Sequence, residues 1–236
     1  MRRWFRRLTV TVIALVVVAV LLVGWLWVST PSADSAPARL AALLAREPGA
    51  RAQSTLPSPD RIGAAVIATE DSRFLSDPGV DLLGLTRGVL GPLVFGRDEG
   101  GSSLDQQLAK LIGVGDRGMI GRLRQTVYGA KIDSRFTKQE ILRMYLDAAY
   151  FGHGYYGVWA ASRGYFGRTP STLTWSQASM LAGLVQAPSR YDPVVHLDRA
   201  RRRQRHVLDR LVATHVLTAA QADAAFAGPL GLLRRG

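Results

Sequence analysis

Apolar positions recur along this chain at helical spacing, and no stretch holds the strict apolar and polar alternation of a half-buried strand. Asp60 can cap a helix in which Ile62, Ala65, Val66 and Thr69 share one face, ending near Glu70. Ser102 followed by Asp105 has capping-box character and opens the run Leu104, Leu108, Leu111. Met119 to Phe136 predicts a further helix, and Thr137 caps another that carries Ile141, Leu142, Tyr145 and Leu146. Thr174 or Ser176 opens an apolar helix that Pro188 stops. A basic helix from Asp198 to about His215 and a last one capped by Thr218 complete a mostly α pattern.

The N-terminal pattern differs in kind. Leu8 to Val28 is a run of 21 residues without a charge, which at 1.5 Å per residue matches the roughly 30 Å hydrocarbon core of a bilayer. Arg2, Arg3, Arg6 and Arg7 precede it, and Ser29 to Ala38 holds no basic residue, so the positive-inside rule puts the N-terminus in the cytoplasm. The expected organisation is a basic cytoplasmic tail at 1–7, a single transmembrane anchor at 8–28, a small and proline-punctuated linker at 29–37, and an extracytoplasmic domain at 38–236. A cleaved signal peptide is the competing reading, but its apolar region is normally about 7–15 residues.

Composition narrows the chemistry. The chain has no cysteine, which excludes disulfides, thiolate metal sites and a cysteine nucleophile. A net charge of +12, carried almost wholly by arginine, fits an anionic partner such as a phospholipid surface or a phosphorylated substrate. No zinc-finger spacing, RNP-type signature or helix-turn-helix pattern accompanies it, so nucleic acid is not the expected partner. The densest basic run, Arg199 to Arg205, reads as a solvated helix face, with lipid headgroups as the functional alternative.

Two segments carry candidate chemistry. Glu70 and Asp71 place adjacent carboxylates at a helix end beside Phe74. Gly100 and Gly101 then lead a helix start with Ser103, Gln106, Gln107 and Lys110, residue types suited to a phosphate at a helix N-terminus. The apolar stretch Leu82 to Phe95 is too short to span a bilayer and is expected at its interface.

These segments resemble the glycosyltransferase family that polymerises the lipid-linked disaccharide precursor of peptidoglycan, found in monofunctional transglycosylases and in the N-terminal part of bifunctional penicillin-binding proteins. The resemblance continues through Arg122 to Asp147, then Tyr150-Phe151-Gly152, Gly157, Ala160-Ala161 and Tyr165-Phe166-Gly167. It closes with Leu181 to Pro193 and Arg201 to Leu208. Against the family pattern, Asp77 stands for a histidine, Ser103 and Asp105 for threonines, Leu111 for an asparagine and Gln125 for a glutamate. Asp133 keeps the acid that closes the third motif, and the chain reads as a divergent member.

The resemblance implies a lysozyme-like two-lobed domain and an inverting transfer that releases polyprenyl pyrophosphate. Glu70 matches the base, with Asp71 and the position of Gln125 as its catalytic companions. Phe74, Ser103, Gln106, Gln107, Lys110, Arg117 and Arg122 match substrate-binding positions, Lys110 and Arg117 as cations for the pyrophosphate. A divalent cation, Mg or Mn, is the cofactor that the resemblance allows. The implied partners are the lipid-linked precursor, membrane lipids and other cell-wall synthesis proteins, at the bacterial plasma membrane. Two other readings are a domain of the same fold that binds precursor without turnover, and a glycan-cleaving enzyme of lysozyme-like fold.

Overall fold

The computed structural model describes residues 2–47, 49–53, 55–57, 60–76, 102–116 and 118–233; within the first helix the side chains of Arg2, Leu8, Val12, Leu15, Val16, Ala19 and Val20 are outside the described set. Among the described residues the regular structure is helical, with one isolated bridge between Tyr150 and Tyr156. The helices are α1 (Arg2–Ser29), α2 (Ala36–Leu44), α3 (Arg61–Glu70), α4 (Leu104–Leu111), α5 (Met119–Arg135), α6 (Lys138–Ala148), α7 (Val158–Phe166), α8 (Trp175–Leu184), α9 (Leu197–Ala213) and α10 (Ala219–Ala227). The interfacial stretch expected at Leu82 to Phe95 lies outside the described residues.

Local chemistry sets most of the boundaries. The Asp60 carboxylate accepts the Gly63 amide at 2.9 Å and starts α3. Thr137 with Glu140, Thr174 with Gln177 and Thr218 with Gln221 each close a reciprocal capping box. Ser103, not Ser102, caps α4, so the capping box expected from Ser102 and Asp105 does not form.

The core centres on α8, which is buried from Ser176 to Leu184 and therefore has no polar face. It packs against α3, α7, α9 and α10, while α4 packs on α5 and α6. Gln204 makes the α8 and α9 contact possible inside the core: its Nε2 donates to the Ser176 carbonyl at 2.7 Å, and its Oε1 accepts from Arg201 at 2.8 Å. The arginine run is thus not one solvated face. Arg201 and Arg205 each set a guanidinium 4.0 Å from the Phe226 ring, fastening α10, and Arg210 donates to the Ala68 carbonyl at 3.0 Å. Arg199 and Arg202 stay exposed.

At the other end of the domain, α5 grips the exit of α1. The Lys131 ammonium donates to the carbonyls of Trp27, Thr30 and Pro31 at 2.6, 2.8 and 3.2 Å, closing a helix end that would otherwise leave acceptors without partners. Lys131 also lies over the Trp27 ring and Arg124 over the Trp25 ring, while Arg135 pairs with Asp34 at 2.6 Å. The linker expected at 29–37 packs against the domain, with Thr30, Ala33 and Ala36 buried and a 3-10 turn at Ala33–Ser35. Among the described residues, no helix is long and apolar enough to cross a membrane.

Candidate active site

The C-terminal end of α3 carries Glu70, and α4 begins against it. Glu70 Oε1 lies 3.5 Å from Arg203 Nη2 of α9, and Oε2 receives Gln107 Nε2 of α4 at 3.4 Å. The Glu70 and Arg203 side chains retain only 14% and 12% of their exposure. Burial raises the Glu70 carboxyl above the ordinary carboxylate range, and the Gln107 bond and the Arg203 charge work in the other direction. A carboxylate in this balance can stay ionised and still accept a proton, the combination that general-base chemistry requires.

Asp71 has a structural task. Its Oδ2 accepts the Leu104 amide at 3.1 Å, at the first turn of α4, while the Ser103 hydroxyl accepts the Gln106 amide at 3.4 Å. Two of the amides at this helix start are therefore satisfied internally, and the carboxyl groups of Asp71 and Asp105 stand at the same turn. The start of α4 is thus held in part by the protein's own side chains.

Asp105 is the least conventional group near the site. It is 2% exposed, and its Oδ1 has no hydrogen-bond partner. Burial pushes its carboxyl up to about 7; the Lys138 charge opposes this, and those of Asp133 and Asp71 add to it. Lys138 itself pairs with Asp133 and covers the Phe74 ring at 4.8 Å. Gly129 allows α5 this close to α4, since a Cβ there would come 3.2 Å from the Gln106 nitrogen and 3.3 Å from Asp105 Cβ.

The remaining expected residues scatter. Lys110 is exposed in the last turn of α4, one turn beyond Gln107, and Arg122 is exposed on α5. Gln125 is half-buried on α5, with its Cγ 3.2 Å from where a side chain at Gly115 would begin. Gln106 is half-buried on α4. Phe74 is 1% exposed and belongs to the core. Arg117 lies outside the described residues.

Two residues at the site were not singled out by sequence. Arg203 was hidden in the basic run, and Gly183, whose added Cβ would stand 3.0 Å from Arg203 Cγ, was the one local sign that α8 makes room for it. Tyr145, which the sequence places only along the helix capped by Thr137, is buried there, and its hydroxyl donates to Gln107 Oε1 at 2.9 Å. No group of three or more Asp, Glu, His or Cys side chains placed to hold a metal ion occurs among the described residues.

The fold and the site define a helical domain built around one half-buried glutamate held between an amide and a guanidinium. The transglycosylase family model matches residues 42–212, and the chain belongs to that family, the peptidoglycan glycosyltransferases found as the N-terminal domain of bifunctional penicillin-binding proteins. It is 36% identical over 174 residues to penicillin-binding protein 1A of Vibrio cholerae, covering 73% of this chain and 21% of that protein. It is 33% identical to penicillin-binding protein 1A of Mycobacterium tuberculosis, covering 92% of this chain and 29% of that protein. The crystal structure of penicillin-binding protein 1A from Haemophilus influenzae aligns with a TM-score of 0.39 at 37% identity, over 41% of this chain and 14% of that one. The chain thus spans under a third of the length of these relatives.

Proposed function

We propose that this protein is a membrane-anchored peptidoglycan glycosyltransferase that joins lipid-linked disaccharide precursors into glycan strands outside the cytoplasmic membrane. The observation that carries the reading is the setting of Glu70, a carboxylate raised by burial and held by Gln107 and Arg203. In the proposed step Glu70 takes the proton of an acceptor hydroxyl as its oxygen attacks the anomeric carbon of the donor. The configuration there inverts, and the polyprenyl pyrophosphate leaves with the electron pair of the broken bond. Lys110 and Arg117 are the cations proposed for that leaving group.

The anchor reading rests on α1. Its apolar side chains, among them Val10, Ile13, Val17, Val18, Leu21 and Val23, are half or more exposed around the helix, a surface that water does not favour and lipid does. Arginines flank its N-terminal end, and Trp25 and Trp27 stand near its other end, where interfacial aromatics belong. This topology places the domain where a lipid-linked substrate is reached from the outer leaflet. The two-lobed, lysozyme-like shape and the interfacial role of Leu82 to Phe95 belong to the same proposal.

Glu70→Gln tests it. The substitution keeps size and hydrogen-bonding capacity and removes the base, so polymer formation from purified lipid-linked precursor falls by about 10²–10⁴-fold while the thermal melt holds. Unchanged polymer yield would remove Glu70 from the base position. Precursor binding by the native protein without any polymer would favour the non-catalytic binding domain, the reading that the Gln125 position keeps open.

A further inference from the structure

The amide of Gln107 is fixed from two sides. Its Oε1 accepts the Tyr145 hydroxyl at 2.9 Å, and its Nε2 donates to the Ser102 carbonyl at 3.1 Å. The same Nε2 reaches Glu70 Oε2 at 3.4 Å with its other N–H. Turned over, the amide would set Oε1 against both the Glu70 carboxylate and the Ser102 carbonyl, two acceptors facing a third. Ser102 is exposed, whereas Tyr145 is fully buried on α6 and its hydroxyl has no water to turn to.

We propose that Tyr145 is a positioning residue for Glu70, acting through Gln107: its hydroxyl holds the amide oxygen away from the carboxylate and so keeps an N–H aimed at it. The proposal rests on the reading of Glu70 as the base. An N–H donated to the carboxylate favours the ionised form, which is the form that takes a proton. Tyr145 suits the task because burial, with the Glu70 charge adding to it, raises its phenol well above the usual range. The hydroxyl therefore stays a donor wherever the enzyme would be assayed. The groups that face Glu70 from the packed helices are Gln107 on α4, Tyr145 on α6 and Arg203 on α9. Of these, Arg203 acts by its charge and Gln107 by its orientation. Only the second depends on Tyr145.

The experiment compares native protein, Tyr145→Phe, Gln107→Ala and the double variant by two readouts. One is the carboxyl-carbon NMR titration of Glu70 in substrate-free protein; the other is the pH dependence of polymer formation. Tyr145→Phe removes one oxygen from a buried ring, and it is expected to move the Glu70 titration and the acid limb of the rate profile to higher pH. On that limb the rate falls by about tenfold. Gln107→Ala moves both in the same direction, and adding Tyr145→Phe to it moves neither further, because the path through the amide is already gone. A Tyr145→Phe variant that loses rate equally at every pH, with the Glu70 titration unmoved, would overturn the proposal in favour of a packing role. So would an unmoved titration in Gln107→Ala, which stands as the test if Tyr145→Phe does not fold. The NMR readout requires no turnover: native protein that makes no polymer defeats the enzymatic reading, and the Glu70 titration still decides the role of Tyr145.

Discussion

Arg203 and Glu70 are 133 residues apart in sequence and 3.5 Å apart in space, each with its side chain mostly buried. The pair joins α9 to the end of α3 and gives the proposed base its one ionic partner among the described residues.

The first prediction follows from that pair. Arg203→Met leaves Glu70 in the same low-exposure setting without the cation, so the carboxyl takes up a proton at higher pH than in the native protein. Polymer formation should fall by about tenfold or more near neutrality and recover toward alkaline pH. Initial rates between about pH 5 and 9 decide the matter, and a loss that is the same at every pH would count against Glu70 as the base.

Asp105 predicts an unusual pH dependence of stability. Its carboxyl in the folded protein titrates near 7, against 3.8 as the reference value, so folding favours the protonated form. That contribution is complete below about pH 3.8 and is lost as pH rises toward about 7. A difference of about three pH units corresponds to about 4 kcal/mol. Asp105→Asn, which never ionises, should match the native protein near pH 4 and exceed its stability by up to that amount at about pH 8. Urea melts of both proteins at the two pH values provide the check; equal stability at the higher pH would show that Asp105 is ionised at no cost.

These groups also show which parts of the structure are legible in sequence. Thr137, Thr174 and Thr218 announce their helices because a capping box is closed within three residues, and Asp60 does so through its own carboxylate, which accepts the Gly63 amide. The helix α2 went unassigned because its first residues read as linker, yet Ala36 and Leu40 bury against the domain. The helix α7 follows Gly157 at a φ of +80°, with no side-chain cap to mark it. At the site, Glu70, Asp71, Ser103 and Gln107 could be gathered from two short motifs. Arg203 could not, since nothing near it in sequence separates the arginine that faces inward from Arg202, which faces water. The partner of the first α4 amide is equally illegible nearby, since the Asp71 carboxylate comes from 33 residues upstream.

A third prediction concerns Gln125. It shares α5 with Arg122 and with Arg124, whose guanidinium lies 4.0 Å from Asp116 and over the Trp25 ring. A glutamate at this place adds a charge among cations. Gln125→Glu is therefore expected to raise polymer formation by about tenfold, the value of one charge-assisted hydrogen bond at the low end of its range. Parallel assays of the two proteins, with divalent metal in the buffer, measure it. A rate that drops in the variant would mean that the glutamine is fitted to this site and does not limit it.

The fourth prediction is topological. Protease added to intact spheroplasts should digest the domain after Val28 and spare the arginine cluster before Leu8. Protection of the domain from outside would contradict both the orientation and the proposed substrate.

The grip of Lys131 on the end of α1 bears on distance. A domain joined to its anchor by a flexible tether samples a shell of heights above the bilayer. This one has the outer end of its rod held by three carbonyl contacts and two stacked tryptophans. With α1 as the anchor, the elevation of Glu70 over the headgroups is set by how far the rod stands out of the hydrocarbon, and hence by its tilt and by the thickness of the bilayer around it. Lipid acyl length then becomes a control on the reach of Glu70, and vesicles that are thicker or thinner than the native membrane should carry the carboxylate below or above the height it takes there.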